Sequence, residues 1–447
     1  MGEVAKLMPP GQVKADPYFI PAEHYAGTDF ARREKEKLWP RTWQVACRAE
    51  ELPDVGSQLV YDICDESILV VRTSAQEVKA FYNACPHRGR QLATGPRRTR
   101  EIVCPFHGWR FKLDGRCTHI PYGADWQGSL EESDRNLVEV QCGQWGGFVF
   151  INMDPSAPPL AEFLGEVITK LGPYEIENQR FRWAASVEIN CNWKLAIEAF
   201  DEAYHVQTTH PQLLKAFDDR TTANITGPHG YLRRSADAGG LGTPSPLLNQ
   251  PMPDDVRPLV LEFMRQMVFD VKSVFAERDM AAAARILTEL PADVSAPEAL
   301  GATLKFRREA AEASGVGWPA ITPEQMGMNG STWHIFPNMV VLPQPTASLW
   351  YRARPLGRGE DPEKCLFEFW ALERYAPGYA PEVTQTHYPD WRTFDALPSF
   401  LAQDFANLPY MQAGVRSRGF KGARVNPIQE GIIANYHAHI RAMVDDE

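Results

Sequence analysis

Two short clusters of cysteine and histidine carry the most definite chemistry in this 447-residue chain. Cys85-Pro86-His87 is followed, after sixteen intervening residues, by Cys104-Pro105-Phe106-His107, so each half brings one thiol and one imidazole. A [2Fe–2S] centre of mixed ligation needs two thiolates on one iron and two imidazoles on the other. Thiolates suit ferric iron and bridging sulfide, while neutral imidazoles leave the cluster less negative and raise its potential to roughly −150 to +300 mV. The alternative is a structural zinc site, but zinc modules usually pair cysteine with cysteine and histidine with histidine. Arg88, Gly89, Gly108 and Trp109 would supply tight turns, backbone donors and cover.

A second constellation follows. Asn192-Trp193-Lys194 opens a segment that runs on through Glu198, Asp201, Glu202, Tyr204, His205 and His210. The two histidines are five positions apart, too far to stack on one helix face. They converge only if the helix ends or bends between them, and Pro211 marks a stop nearby. Two histidines and one carboxylate form the facial triad of non-haem Fe(II) oxygenases, with positions left open for O₂. Alone, such a pair reads as two satisfied polar residues; beside a redox cluster that must deliver electrons somewhere, it reads as metal.

The elements that must position these residues divide in two. From Trp43 to about Ile151, short runs rich in Val, Ile, Phe and Tyr (58–61, 67–72, 78–82 and 147–151) alternate with Gly, Pro, Asn and Asp, predicting a small all-β domain. Three prolines in 154–159 predict a linker. Beyond it, helices are expected at 159–171, 193–203, 254–290, 394–412 and 429–443, and strands at 182–190, 332–343, 349–355 and 365–373. The class is therefore α+β, with expected boundaries of 1–40 for an N-terminal arm, 41–157 for the cluster domain and 158–447 for the larger one.

Composition narrows the partners. Lys plus Arg number 46 against 57 Asp plus Glu, a net charge of −11, which argues against nucleic acid or an anionic membrane surface. No transmembrane run and no apolar leader is read, and Lys6 stands where a myristoylation motif wants Ser or Thr, so the expected location is the cytoplasm. Thiols stay reduced there, so the clustered cysteines among the eight suggest metal before disulfide.

With both motifs in this order, the chain resembles the α (large) subunit of the Rieske non-haem iron aromatic ring-hydroxylating oxygenases over most of its length. Cys85-Pro-His87-Arg-Gly, Cys104-Pro-Phe-His107-Gly-Trp and Asn192-Trp-Lys…Glu198…Glu202-Ala-Tyr-His205…His210 carry the resemblance, supported by Phe336-Pro-Asn338 and Gln403-Asp404. It implies that Cys85, His87, Cys104 and His107 bind a Rieske [2Fe–2S] cluster, and that His205 and His210 bind a mononuclear Fe(II). The third iron ligand is then Asp404, with Asp395 and Glu430 as alternatives. An acid three residues before the first ligand histidine bridges to a Rieske histidine of a neighbouring subunit; Glu202 holds that position where many members have Asp, and Asp201 adjoins it. The resemblance further implies a helix-grip-like catalytic domain, a homotrimeric core with or without a β subunit, and a stretch at about 235–330 longer than in many members.

Electrons would come from an NAD(P)H-dependent reductase, directly or through a ferredoxin, since no G-x-G-x-x-G follows a strand in this chain. O₂ and an aromatic or other hydrophobic organic substrate complete the reaction. Asn192 is a candidate catalytic residue, and it joins Leu195, Ala199, Phe200, Val206, Phe217, His334, Phe336 and Asn338 as candidate pocket wall. Oxidative O- or N-demethylation uses the same metal equipment. A pure Rieske electron carrier is the rival of another class.

Overall fold

A computed structural model describes residues 16–445. The expectations about a leader and a myristoylation motif fall on residues outside that range. The described chain forms two compact units: Arg32–Leu164 with Gly357–Glu360, and the remainder. Residues 158–164 thus pack with the first unit, past the boundary expected at 157. The reason is apolar burial: Leu160 and Leu164 are buried, and Leu160 sits directly over Gly143. The expected arm at 1–40 likewise divides, its described part splitting between Ala31 and Arg32.

The sheets of the first unit are antiparallel throughout, with short helices such as Leu160–Leu164 at its ends. Seven strands run in the order Gln44–Arg48, Phe148–Asn152, Glu139–Trp145, Val78–Tyr82, Glu66–Arg72, Ser57–Ile63 and Arg97–Arg98. A second sheet of three short strands, Ile102–Val103, Arg110–Phe111 and Cys117–His119, lies between them in sequence. Leu69, Val71, Phe81, Ile102, Trp109 and Phe111 form a core that also takes in Cys85 and Cys104. The motif cysteines are therefore anchored by hydrophobic packing, which fixes the loops that carry them.

The second unit is built on eight strands, ordered Thr221–Thr226, His229–Arg234, Thr332–Ile335, Met339–Pro343, Ala347–Pro355, Cys365–Arg374, Gln179–Ile189 and Thr386–Tyr388. All neighbours are antiparallel except the last pair. The C-terminal helix Gly431–Val444 packs on the first two strands, and helix Trp193–Glu198 packs on Ala347–Pro355. Across the middle of the sheet Arg352 faces Glu368 and grips it bidentately at 2.6 and 2.7 Å, both side chains buried. Phe19–Pro21 pairs with Gly422–Arg424 as a separate two-stranded ladder.

Two expectations about elements are corrected. The single helix expected over 254–290 is instead Arg257–Arg265, a π turn Gln266–Asp270, then Glu277–Ala283 and Ile286–Glu289. Lys272 and Val274 take left-handed backbone angles, φ 58° and 69°, which ends the helix. The sheet holds that break: Trp183 Nε1 donates to the Lys272 carbonyl at 2.7 Å, and Ser273 Oγ donates to the Ser348 carbonyl at 3.2 Å. The apolar spacing that suggested a helix is partly that of a buried loop, since Val271, Val274 and Phe275 are all covered. The strand expected over 332–343 is a hairpin, broken where Pro337 has no N–H to give a ladder. Among the described residues no helix is long and apolar enough to cross a membrane.

Candidate functional site

The two motif loops of the first unit are the same turn made twice. Cys85 N–H donates to the Arg90 carbonyl at 2.9 Å, and Gly89 N–H returns to the Cys85 carbonyl at 2.8 Å. Cys104 repeats this with Trp109 and Gly108 at 2.9 and 3.0 Å. Each turn needs a left-handed residue four positions after its cysteine, and glycine stands there both times, with φ of 70° and 74°. The registers differ only in the histidine, which is two residues after Cys85 and three after Cys104. The imidazoles of His87 and His107 meet edge to face, 4.5 Å between centroids. Trp109 stacks flat on His87 at 5.2 Å, and Trp126 closes its edge at 5.5 Å.

This donor set fits a two-iron, two-sulfide cluster. Two buried thiols and two imidazoles converge from twin turns, and His87 Nδ1 is shielded from solvent without a hydrogen-bond partner. Burial, with Cys104 beside it, pushes the Cys85 thiol up to about 11, so a thiolate there requires a cation. That cation would come with the cluster.

In the second unit the helix Trp193–Glu198 ends, the chain runs irregularly to His205, and a single turn Val206–Thr209 separates His205 from His210. This break places both rings on one side, 5.1 Å apart, across from Asp404 on helix Ser399–Val415. His210 Nε2 lies 2.9 Å and His205 Nε2 3.6 Å from Asp404 Oδ1. Among the described residues these three alone bring donor atoms of a trio within 4.8 Å of one another. Asp395 is exposed and stands apart, and Glu430 turns back on the Asn426 N–H.

The Nδ1 atoms of both histidines are held from behind. Glu202 takes His205 Nδ1 at 2.7 Å and the His205 backbone N–H at 3.0 Å; Gln403 meets His210 Nδ1 at 2.8 Å. Each histidine thereby carries its proton on Nδ1 and turns the Nε2 lone pair inward, the form a metal requires. The donor set, two imidazoles and a buried carboxylate, fits a ferrous ion.

A Rieske [2Fe-2S] domain model matches residues 42–131, and the model of the ring hydroxylating alpha subunit catalytic domain matches 176–259 and 276–446, more than half of the chain. The chain belongs to the ring-hydroxylating alpha-subunit family. Among relatives of this alpha subunit, the carnitine monooxygenase oxygenase subunit of Escherichia coli K12 is 32% identical over 43% of this chain and 52% of its own length. The glycine betaine monooxygenase oxygenase subunit of Pseudomonas aeruginosa is 29% identical over 46% and 48%. The chain thus spans about half the length of the curated relatives it matches. Solved structures agree over nearly all of it: the quaternary ammonium Rieske monooxygenase CntA with L-carnitine has a TM-score of 0.62 at 18% identity, covering 96% of this chain and 97% of that one. Naphthalene 1,2-dioxygenase from Rhodococcus with indole gives 0.62 at 18%, covering 96% and 95%. These likenesses establish a common fold.

The remaining residues of the alpha subunit's site sort by contact. Burial works against a charge on His205, but Glu202 and Asp404 outweigh it and hold its pKa above the usual value, so the pocket favours positive charge. Asp201 points away into the core and pairs with His334 Nδ1 at 2.9 Å. Asn192, expected near the chemistry, does not reach it. Its side chain caps its own helix through the Lys194 N–H and donates to the Pro362 carbonyl at 2.7 Å, a purely structural assignment. A cavity of about 610 Å³ opens on His205, Asp404 and Glu202. Of the expected wall residues only Leu195 and Ala199 line it; Phe200 instead joins Tyr351 and Phe367 in an aromatic cluster. Sequence reasoning missed the role of Gln403, because nothing local marks a residue that meets His210 only after folding.

Proposed function

We propose that this chain is the terminal oxygenase component of a multicomponent system, using O₂ and electrons from an NAD(P)H-dependent reductase, with or without a ferredoxin, to hydroxylate an organic substrate. One observation carries the reading: twin turns that present Cys85, His87, Cys104 and His107, and a separate trio of His205, His210 and Asp404 with converging donor atoms, occur in one chain. Cys85, His87, Cys104 and His107 would hold the cluster, and the trio the mononuclear iron. Bound there, the two groups would supply one-electron storage and activation of O₂.

The protein's own residues do the rest. Glu202 and Gln403 fix the tautomers of the iron histidines, and three protein ligands leave positions for O₂. Glu202 is the proposed bridge toward a Rieske histidine of a neighbouring copy, supported by its contact with His205 and its place on the cavity wall; Asp201 faces the wrong way. A ring of three copies is the proposed assembly, with a β subunit optional. Cys85, Cys104, Cys117, Cys142, Cys191 and Cys365 carry free thiols, which suits a cytoplasmic enzyme.

An aromatic or other hydrophobic substrate is supported by the apolar side chains of the cavity, among them Leu195, Leu408, Met411 and Ile433. A second reading, oxidative attack beside a quaternary nitrogen, is favoured by the relatives' names and by the carboxylates Glu202 and Glu430 on the same wall. The test is O₂ uptake and product analysis with a surrogate reductase, offering aromatic compounds and small quaternary amines in parallel. Stoichiometric product from either panel assigns the class. Reduction of the cluster without product from any compound, at full iron content, would reduce the chain to an electron carrier.

A further inference from the structure

Behind the cavity wall lies a hydrogen-bonded group that the iron trio does not use. Tyr25 comes from the short helix Glu23–Ala26, Glu198 from the end of Trp193–Glu198, and His437 from Gly431–Val444. Glu198 Oε1 lies 2.6 Å from His437 Nε2, and the Tyr25 hydroxyl donates to Glu198 Oε2 at 3.0 Å. On its far side His437 Nδ1 faces His24 Nδ1 at 3.0 Å. His437 is wholly buried, whereas Glu198 and Tyr25 both line the cavity that opens on His205 and Asp404.

Counting protons across this group leaves little freedom. A carboxylate oxygen and an imidazole lone pair repel at 2.6 Å, so in the resting state one proton sits between Glu198 and His437 and is restored after any release. The Nδ1–Nδ1 contact needs one more, on either ring. The pair therefore stores a titratable proton at the edge of the cavity.

Resting on the oxygenase reading above, we propose that the Glu198–His437 pair is a proton store that feeds the cavity beside the iron site, with Glu198 as the donor and Tyr25 and His437 as positioning residues. Hydroxylation consumes protons by its own balance: RH + O₂ + 2 H⁺ + 2 e⁻ gives ROH + H₂O, the electrons coming from the reductase. The Glu198 O–H bond breaks, its proton passes to the cavity, and a carboxylate remains, held by the Tyr25 hydroxyl, until solvent restores the proton. Each such release supplies one of the two protons.

The surroundings support this assignment. Burial pushes the Glu198 carboxyl up to about 8, opposed by the Tyr25 hydrogen bond and by the charges of Lys194 and His334. Burial, with Lys194, Arg441 and His334 nearby, holds His437 well below its usual value, so the proton resides on the carboxyl. Asp201 and Glu202 from the same segment and Glu430 from the start of the C-terminal helix are the other charges facing this corner. Burial and Glu198 together keep the Tyr25 phenol protonated.

Two measurements test the store. In metal-free full-length protein, infrared difference spectra of wild type against Glu198→Gln should show a protonated-carboxyl stretch that disappears as pH rises through about 8. In iron-loaded enzyme, turnover should fall through the same pH range, and Glu198→Gln should be about 100-fold slower with no such alkaline limb, Glu198→Asp recovering part of the rate. A wild-type rate and pH profile in Glu198→Gln, or a carboxyl band that does not belong to Glu198, would overturn the proposal. Should Glu198→Gln fail to fold, the band is sought in Tyr25→Phe, where it should persist with an altered frequency; its absence there and in wild type overturns the proposal equally. Wild type that hydroxylates nothing would sink the oxygenase reading instead, while the infrared result would still report on the pair.

Discussion

The two candidate iron sites are made from opposite materials. The four residues proposed to hold the cluster lie within twenty-three positions, on twin turns whose geometry is closed by two backbone hydrogen bonds each. The second trio joins His205 and His210 to a carboxylate nearly two hundred residues away, and its two histidines are aimed by the side chains of Glu202 and Gln403. A site of the first kind is specified by local sequence; one of the second exists only once the sheet and its helices have packed.

That contrast can be broken most sharply at the ligands. His205→Ala or Asp404→Ala should bring turnover below detection while the visible spectrum of the cluster survives. Cys85→Ser should remove the spectrum. Loss of the spectrum in the first two variants would mean that the sites are not independent.

The sheet beneath the trio offers the next largest effect. Glu368 is buried; burial would raise its pKa, but Arg352 and Arg354 outweigh this and lower it to about 2. Because the folded value lies below the unfolded one, near ~4.3, this stabilisation is present above that pH and fades as pH falls through about 2. Glu368→Ala should cost about 3–5 kcal/mol by leaving the guanidinium of Arg352 buried without its carboxylate, read as a lower denaturant midpoint. A midpoint within error of wild type would show that the arginines find other partners.

Smaller changes sharpen the comparison. Gln403→Ala should weaken ferrous ion binding by about 10–100-fold, measured by iron retention against a chelator, with the cluster unchanged. At the turns, Gly89→Ala and Gly108→Ala should each cost roughly 1–2 kcal/mol through the left-handed backbone alone. An added Cβ would meet nothing within 4 Å at Gly89, and only Pro121 Cγ at 3.8 Å at Gly108. Closely matched losses are expected from twin turns; a much larger one at either site would show that they are not equivalent.

Legibility in the sequence followed the same divide. Cys85, His87, Cys104 and His107 could be read as a unit because the turn that gathers them is written beside them. The convergence of His205 and His210 was readable as far as the Pro211 stop, but Asp404 came only through family resemblance, since no spacing rule spans so many residues. The helix expected over 254–290 failed for a tertiary reason. The indole of Trp183 and the strand carbonyl at Ser348 capture residues 272–273, so a sheet remote in sequence overrides a locally plausible helix. Asn192 was drawn toward the chemistry by its place in the motif, whereas the fold uses it to start the helix on which Glu198 stands.

The ladder between Phe19–Pro21 and Gly422–Arg424 bears on how the protein is made. Its first strand must wait for a partner made some four hundred residues later, one of the long loop closures among the described residues. The all-β unit needs only residues up to 164, apart from a four-residue return at 357–360, and can acquire its cluster while synthesis continues. Tyr25, Glu198 and His437, by contrast, meet only when the final helix arrives. Folding therefore has a built-in order: the unit that carries the twin turns can close before the unit that carries the His205, His210 and Asp404 trio.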